Sequence, residues 1–521
     1  MALLRLGTPG DRISTAPLLL HLALGVVACG ATSTSSADTA QGTNGGGGGG
    51  GMDSAGNDNG DNDNDNDNDN DDNDNNDNND SNDSNDGSDN DSDSDNEGPK
   101  FDIGAPDETD DSDHDDDEDC TEADLPVPNA AITGTVFAPN MEIPISGALV
   151  YLTDKPVEPV PDGVYCAECI ELDCIHYVLT NDDGTFDLPA VAGDGQKLVV
   201  QKGQFLHVVD MDVDEGTQAV LPSESNLPGQ WDPDAGEWIP RIAVYETSPD
   251  EVFNVLAKFG LGEVDATGAL VRGTEQFTLL SAFTDAGATI DDLDTMSLYH
   301  IIFVPCAATV FWAGAPAVPA ARIQNIRDYV AAGGKWYATD HTNEYIAEPF
   351  PTYQDFHNPL MPDLQPPFDV EGEVVDADML AWLEALPDTL KDVGGGNPTL
   401  AALPSVTLQQ NFSGIDAVHE ILVEDDEGED VNVGHYTWVE GPCTSCTPAD
   451  IIRPMAISGQ YGCGRMMYST FENSSVAHAG LNPQELVLLY MILEIGVCHK
   501  APPPPPPPES PSGPARTWAG R

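Results

Sequence analysis

Three side chains able to hold a metal or move a proton crowd into the run Thr339-Asp340-His341-Thr342-Asn343-Glu344: Asp340, His341 and Glu344. They follow Lys335-Trp336-Tyr337-Ala338-Thr339, whose aromatic and β-branched residues predict a strand. Carboxylates and imidazole are ligands that divalent metals accept, and the Asp-His-x-x-Glu spacing gathers all three if a helix starts there. The plainer alternative is an N-capping Asp with exposed polar neighbours. Cys306 offers a second chemistry. It follows the apolar run Tyr299-His300-Ile301-Ile302-Phe303-Val304-Pro305 and would be a nucleophile if His341 stood beside it as a base. Its surroundings, Pro305-Cys306-Ala307-Ala308, lack the glycines of a strained nucleophile turn, so a structural thiol or disulfide is the competing reading.

The other cysteines read as disulfide material. Cys166, Cys169 and Cys174 lie between two predicted strands; a Cys-x-x-Cys can open a zinc site, but exported chains more often oxidise such thiols. Three is odd, so one stays free or finds a partner such as Cys120. Cys443, Cys446, Cys463 and Cys498 predict one or two further disulfides, with a pairing that sequence does not give. His357, His419, His435 and His478 show no ligand spacing. Arg453 and Arg465 stand out because basic residues are scarce, and each is expected to pair with an acidic neighbour.

The elements that must position these residues alternate in type. Arg241–Tyr245, Tyr299–Pro305, Lys335–Thr339 and Gly464–Thr470 predict strands buried on both faces. Pro249–Phe259 has a helical pattern, and Ala320–Ala332 is amphipathic through Ile323, Ile326 and Val330 before Gly333-Gly334 ends it. Asn482-Pro483-Gln484-Glu485 supplies an N-cap, a Pro at the first helical position and a Glu two positions later, ahead of the apolar helix Leu486–Ile495. This is the α/β order of a parallel, flavodoxin-like sheet over 238–500, where ligands bind at the carboxyl ends of the strands. Upstream, over 125–215, the runs Ile132–Phe137, Gly147–Leu152, His176–Thr180, Lys197–Lys202 and Phe205–Val213, with an Asp183-Gly184 turn, predict a small antiparallel β-sandwich.

Three resemblances follow. The first strand, the strand ending at Pro305, the helix carrying Tyr329-Val330-Ala331-Ala332-Gly333-Gly334 and the late Gly-Arg-x-x-Tyr-Ser-Thr strand resemble, in that order, the class I glutamine amidotransferase-like superfamily in its trehalose-utilisation-type branch, with a large insertion around 350–450. That family sets a Cys nucleophile on a strand-to-helix turn with flanking glycines. Here Thr339-Asp340-His341 stands in its place, which implies Asp340 or His341 at the nucleophile position and no glutaminase activity. Pro144 to Tyr151 (Pro-Ile-x-Gly-Ala-x-Val-Tyr) and Thr180 to Leu188 (Thr-x-x-Asp-Gly-x-Phe-x-Leu) resemble the carboxypeptidase regulatory-like, transthyretin-type sandwich, which implies an accessory, non-catalytic module. Val26-Val27-Ala28-Cys29 at the end of a short apolar run resembles a bacterial lipobox. It implies a signal peptide over 1–28, acylation of Cys29 as an anchor in the lipid bilayer, and a place in the bacterial cell envelope, at the outer membrane since Gly30 and not Asp follows.

Charge fits an anchored, solvated protein. The formal net charge is −73. Residues 51–120 carry 30 acidic side chains against Lys100 alone, inside a Gly/Asn/Asp-rich tether over 29–124 that is too polar to bury a core and is expected to be disordered. A diffuse, low-affinity uptake of Ca²⁺ there is the sharper alternative, although no EF-hand spacing is present. Such a balance excludes nucleic-acid binding by counterion release. Pro502–Pro508 begins a Pro-rich tail over 501–521 that reads as a terminal spacer. The expectation is a surface-anchored lipoprotein that binds or scaffolds a protein or glycan, with no cofactor unless a divalent metal sits at Asp340, His341 and Glu344. The alternative is a metal-assisted or Cys-dependent hydrolase acting on carbohydrate or amide.

Overall fold

A computed structural model describes residues 125–500, apart from 168–169, 173, 282–285, 307, 309–318, 358–367, 412–413, 425–429, 445, 474–477 and 494–498. The expected signal peptide, lipidated Cys29, tether and Pro-rich tail fall outside the described residues, as do Cys120, Cys169 and Cys498. No described helix is long and apolar enough to cross a membrane.

The first module has two sheets. Five strands pair antiparallel in the order Tyr177–Leu179, Leu149–Thr153, Gly193–Lys202, Phe205–Val213, Glu237–Trp238. Facing them, Ala130–Thr135 lies between Thr185–Ala190 and Gly216–Ala219. The Asp-Gly turn forms as its residues require: Gly184 has φ +75°, and an added Cβ would stand 2.5 Å from the Val136 carbonyl oxygen. The expectation of purely antiparallel pairing fails at one point. Gly216–Ala219 runs parallel to Ala130–Thr135, because the chain leaves the five-stranded sheet at Val213 and returns along the edge that Thr185–Ala190 leaves open.

The second sheet has nine strands: β1 (Ile242–Glu246), β2 (Thr278–Ser281), β3 (Ile301–Val304), β4 (Lys335–Thr339), β5 (Phe368–Val374), β6 (Ser405–Asn411), β7 (Tyr436–Cys443), β8 (Ile451–Tyr461) and β9 (Gly464–Ser469). Their spatial order is β2-β1-β3-β4-β9-β8-β7-β5-β6. β1, β3, β4 and β9 are parallel, as the sequence predicts, and β2, which was not read from the sequence, joins them in parallel. From β9 onward every pairing is antiparallel. The sheet is therefore mixed. The segment expected to be an insertion supplies β5, β6 and β7 to the same sheet, since the hairpin β8–β9 leaves an open edge that extended chain completes.

Both faces of the parallel strands are covered. Val244, Ile301, Phe303 and Tyr337 point to one side, and Ala243, Tyr245, Ile302, Val304, Trp336 and Ala338 to the other; all are buried. On the second side lies α1 (Ala320–Ala331), with Ile326, Tyr329 and Val330 buried and Ile323 half-buried. Gly333 ends it at φ +112°, and Gly334 abuts the Tyr329 ring so closely that a Cβ would overlap it. On the first side lie α2 (Ala377–Ala385) and α3 (Pro483–Leu493). α3 begins with the reciprocal cap read from sequence: Asn482 Oδ1 accepts from the Glu485 amide and Glu485 Oε2 from the Asn482 amide, each at 3.0 Å. The pattern at Pro249–Phe259 forms only from Val252 and closes in a wider turn, Ala257–Leu261, because Gly260 takes φ +113°.

The two modules share one core. Ile132, Phe186, Leu188 and Val200 of the first pack in the same apolar cluster as Val252, Leu256, Phe259 and the α3 residues Leu486–Leu489. Trp382 donates its indole N–H to the Pro144 carbonyl at 2.8 Å, and Cys166 is disulfide-bonded to Cys463 across 297 residues. A further disulfide joins Cys443 to Cys446.

Candidate functional site

The carboxyl ends of β1, β3, β4 and β9 converge on a group of buried acids. Asp250 follows β1, Cys306 follows β3, Asp340 follows β4 and Glu472 follows β9; all four are 0 % exposed. Each enters from a different strand-to-helix connection, so only a parallel sheet brings them together.

Asp250 is the hub. Its Oδ2 accepts from the Cys306 amide at 3.0 Å and the Thr339 hydroxyl at 2.5 Å, and its Oδ1 from the Asn473 amide and side chain at 2.9 Å each. Burial pushes its carboxyl above the usual range, and the four donors pull the other way. Thr339 and Thr342 close the turn beyond β4: the Thr339 amide donates to Thr342 Oγ1 at 3.1 Å, and that hydroxyl lies 2.8 Å from the Val304 carbonyl. The turn forces Asp340 into the left-handed region at φ +47°, one of the few conformations outside the usual basins that Asp tolerates. The Tyr468 hydroxyl holds the Asp340 carbonyl at 2.7 Å.

Glu472 behaves differently. None of the described donors reaches either of its carboxyl oxygens. One of those oxygens, one Asp340 carboxylate oxygen and Cys306 Sγ lie within 4.8 Å of one another. Burial, then the charge of Asp250, pushes the Glu472 carboxyl up to about 9, so it is protonated at neutral pH without a cation.

The residues read from sequence are distributed as follows. Asp340 and Glu344 are both buried, which overturns the alternative of an N-capping Asp with exposed neighbours. Thr339 is the capping residue, and Asp340–Thr342 forms a single tight turn ahead of Glu344–Ala347. His341 is half-buried, and burial lowers its imidazole to about 4, leaving it neutral. Cys306 is disulfide-bonded, which removes the thiol that the nucleophile reading required. Cys174 is likewise disulfide-bonded. His357 sits 3.2 Å from Asp416, which Arg453 also approaches at 3.7 Å; Cys446 completes that cluster but is oxidised. His478 contacts Glu485 at 3.1 Å beside Lys258, and His435 contacts Gln354 at 2.7 Å. Asp250 and Glu472 were not singled out from sequence. The usable signal was position: each stands within five residues of the end of a predicted strand.

No protein-family model matches the chain, and no curated protein does. Among solved structures, a ThuA-like protein from Bacteroides uniformis aligns over 48 % of this chain and 88 % of its own, with 11 % identity and a TM-score of 0.26. A cytoplasmic protein from Salmonella typhimurium aligns over 50 % of this chain and all of its own, at 13 % identity and a TM-score of 0.25. A β-galactosidase from Rahnella aligns over 52 % and 34 %, at 12 % identity and a TM-score of 0.22.

Proposed function

We propose that this chain is a bacterial envelope lipoprotein, anchored through acylated Cys29, whose α/β module binds a ligand at the carboxyl ends of its parallel strands and has no thiol chemistry. One observation carries the absence of thiol chemistry. The turn beyond β4, where class I amidotransferases keep their cysteine, holds Asp340 at φ +47°, and the neighbouring Cys306 is disulfide-bonded. Acylation rests on the lipobox-like sequence alone.

The test uses the mature chain. Incubation with glutamine and with a thiol-directed electrophile is expected to give no ammonia and no adduct on Cys306. Turnover of glutamine, or a stoichiometric adduct there, overturns the reading. For the anchor, detergent phase partition is expected to move the protein to the aqueous phase in Cys29→Ser; unchanged partition counts against acylation.

A second reading has one observation behind it. A Glu472 pushed up to about 9 keeps its proton at neutral pH within 4.8 Å of an Asp340 carboxylate oxygen, and a buried proton donor is what general-acid hydrolysis of a glycoside or amide uses. Activity on a panel of such substrates, lost in both Asp340→Asn and Glu472→Gln, would favour it over binding alone.

A further inference from the structure

We propose that Asp340 and Glu472 hold a divalent cation of the oxygen-preferring class, Ca²⁺ or a close relative, at the carboxyl ends of β4 and β9. The inference deepens the binding reading above by naming the ligand class of that same site. It stands on the contrast between two carboxylates in one cluster. Where this fold means a buried carboxylate to be satisfied by protein, it supplies donors, and Asp250 receives four. Glu472, 0 % exposed, receives none from the described residues, and one of its oxygens faces an Asp340 oxygen within 4.8 Å.

That separation suits a bridging ion. Ca²⁺ takes oxygens at about 2.3–2.6 Å, so two ligands of one shell stand up to about 5 Å apart. The ligand chemistry also selects the class. Cys306 Sγ is the third atom of the cluster, but it is disulfide-bonded and carries no thiolate to attract a soft metal. Oxygen ligands remain. Asp250 acts as an outer-shell partner that fixes its neighbours: it holds Thr339 and the Cys306 amide, and so the turn that presents Asp340. Glu344 is buried on the same segment as Asp340 but does not belong to this cluster of atoms within 4.8 Å.

The experiment must separate this site from any diffuse uptake by the 30 acidic side chains of residues 51–120. Terbium, a luminescent Ca²⁺ analogue, does so, because its emission under ultraviolet excitation requires a nearby Tyr or Trp. The Tyr468 hydroxyl touches the Asp340 carbonyl at 2.7 Å, whereas residues 30–124 contain neither Tyr nor Trp. The mature chain is expected to give saturable sensitised emission that CaCl₂ displaces. Glu472→Gln and Asp340→Asn should each weaken terbium affinity at least tenfold, with circular dichroism confirming the fold. Glu472→Asp, which keeps the carboxylate, should retain part of it, and Asp416→Asn, outside the cluster, should change nothing. Absence of sensitised emission, or emission undiminished in Glu472→Gln, overturns the cation. Either result leaves the thiol-independent site standing, since that reading fails only through the glutamine and electrophile assays.

Discussion

Asp250 and Glu472 are both buried acids raised by desolvation, but only Asp250 receives hydrogen-bond donors from the described residues, and Glu472 is raised further by the charge of Asp250. For Glu472 the folded-state value of about 9 lies above the ordinary 4.5, so its contribution is fully present below pH 4.5 and is lost as pH rises toward 9. The loss is about 1.4 kcal/mol per pH unit at its steepest. In EDTA, Glu472→Gln should therefore raise the denaturant midpoint at pH 8 and leave it nearly unchanged at pH 4; equal effects at both values would contradict a protonated Glu472. The histidines act on the acid side. Burial holds His300 at about 4 and His435 at about 3, below the ordinary 6.5. Their contribution to stability is constant above 6.5 and falls as pH drops from 6.5 toward 4. A series of urea melts should show that decline, with a shallower slope in His435→Gln. At this scale the sequence discloses Asp340, His341 and Glu344 because they are contiguous behind a strong strand. It hides Asp250 and Glu472 because their partners come from other strand-to-helix turns, and contact between such turns is a property of the sheet.

The parallel strands and α3 could be read in advance because local and tertiary demands agree there. Lys335–Thr339 is a strand by composition and is buried on both faces, and Asn482 with Glu485 forms the cap its sequence announces. β5 was readable as a strand too, since Phe368-Asp369-Val370-Glu371-Gly372-Glu373-Val374 alternates; its burial alternates likewise from Val370 onward. What its pattern does not carry is the neighbour, and so the extension of the sheet beyond β9 was missed. Nor does composition reveal that the two modules share a core. Trp382 of α2 tests that union: its ring is 2 % exposed, stacks near Tyr490 at 5.3 Å and bonds Pro144 of the first module. Trp382→Phe keeps most of the packing and should cost about 1 kcal/mol for the lost bond. Trp382→Ala should cost about 3–5 kcal/mol. Calorimetry should show the single transition of the whole fold moving in both; a shift confined to a separate, smaller transition would mean that the modules melt independently.

Across the molecule, charge is the dominant departure from an ordinary globular chain. Residues 121–521 hold 59 acidic side chains against 15 basic ones, so the folded part repels itself. Ion pairs relieve this only locally, as at Arg322–Asp291 and Arg241–Asp162, both at 2.5 Å. Raising NaCl from about 10 mM to 150 mM shortens the screening length from roughly 30 Å to 8 Å. The melting temperature should rise over that range. A fall would show that attractive pairs outweigh the net repulsion.

The Cys166–Cys463 bridge imposes an order on biogenesis. A ribosome makes the chain from its amino end at about 5–20 residues per second, so Cys166 precedes its partner, 297 residues later, by roughly 15–60 s of synthesis, and an exported chain would deliver it to an oxidising compartment first. During that interval Cys174 is the thiol nearer at hand among the described residues. The correct bond therefore depends on the first module staying reducible, or on a disulfide isomerase, until the hairpin that carries Cys463 docks beside it.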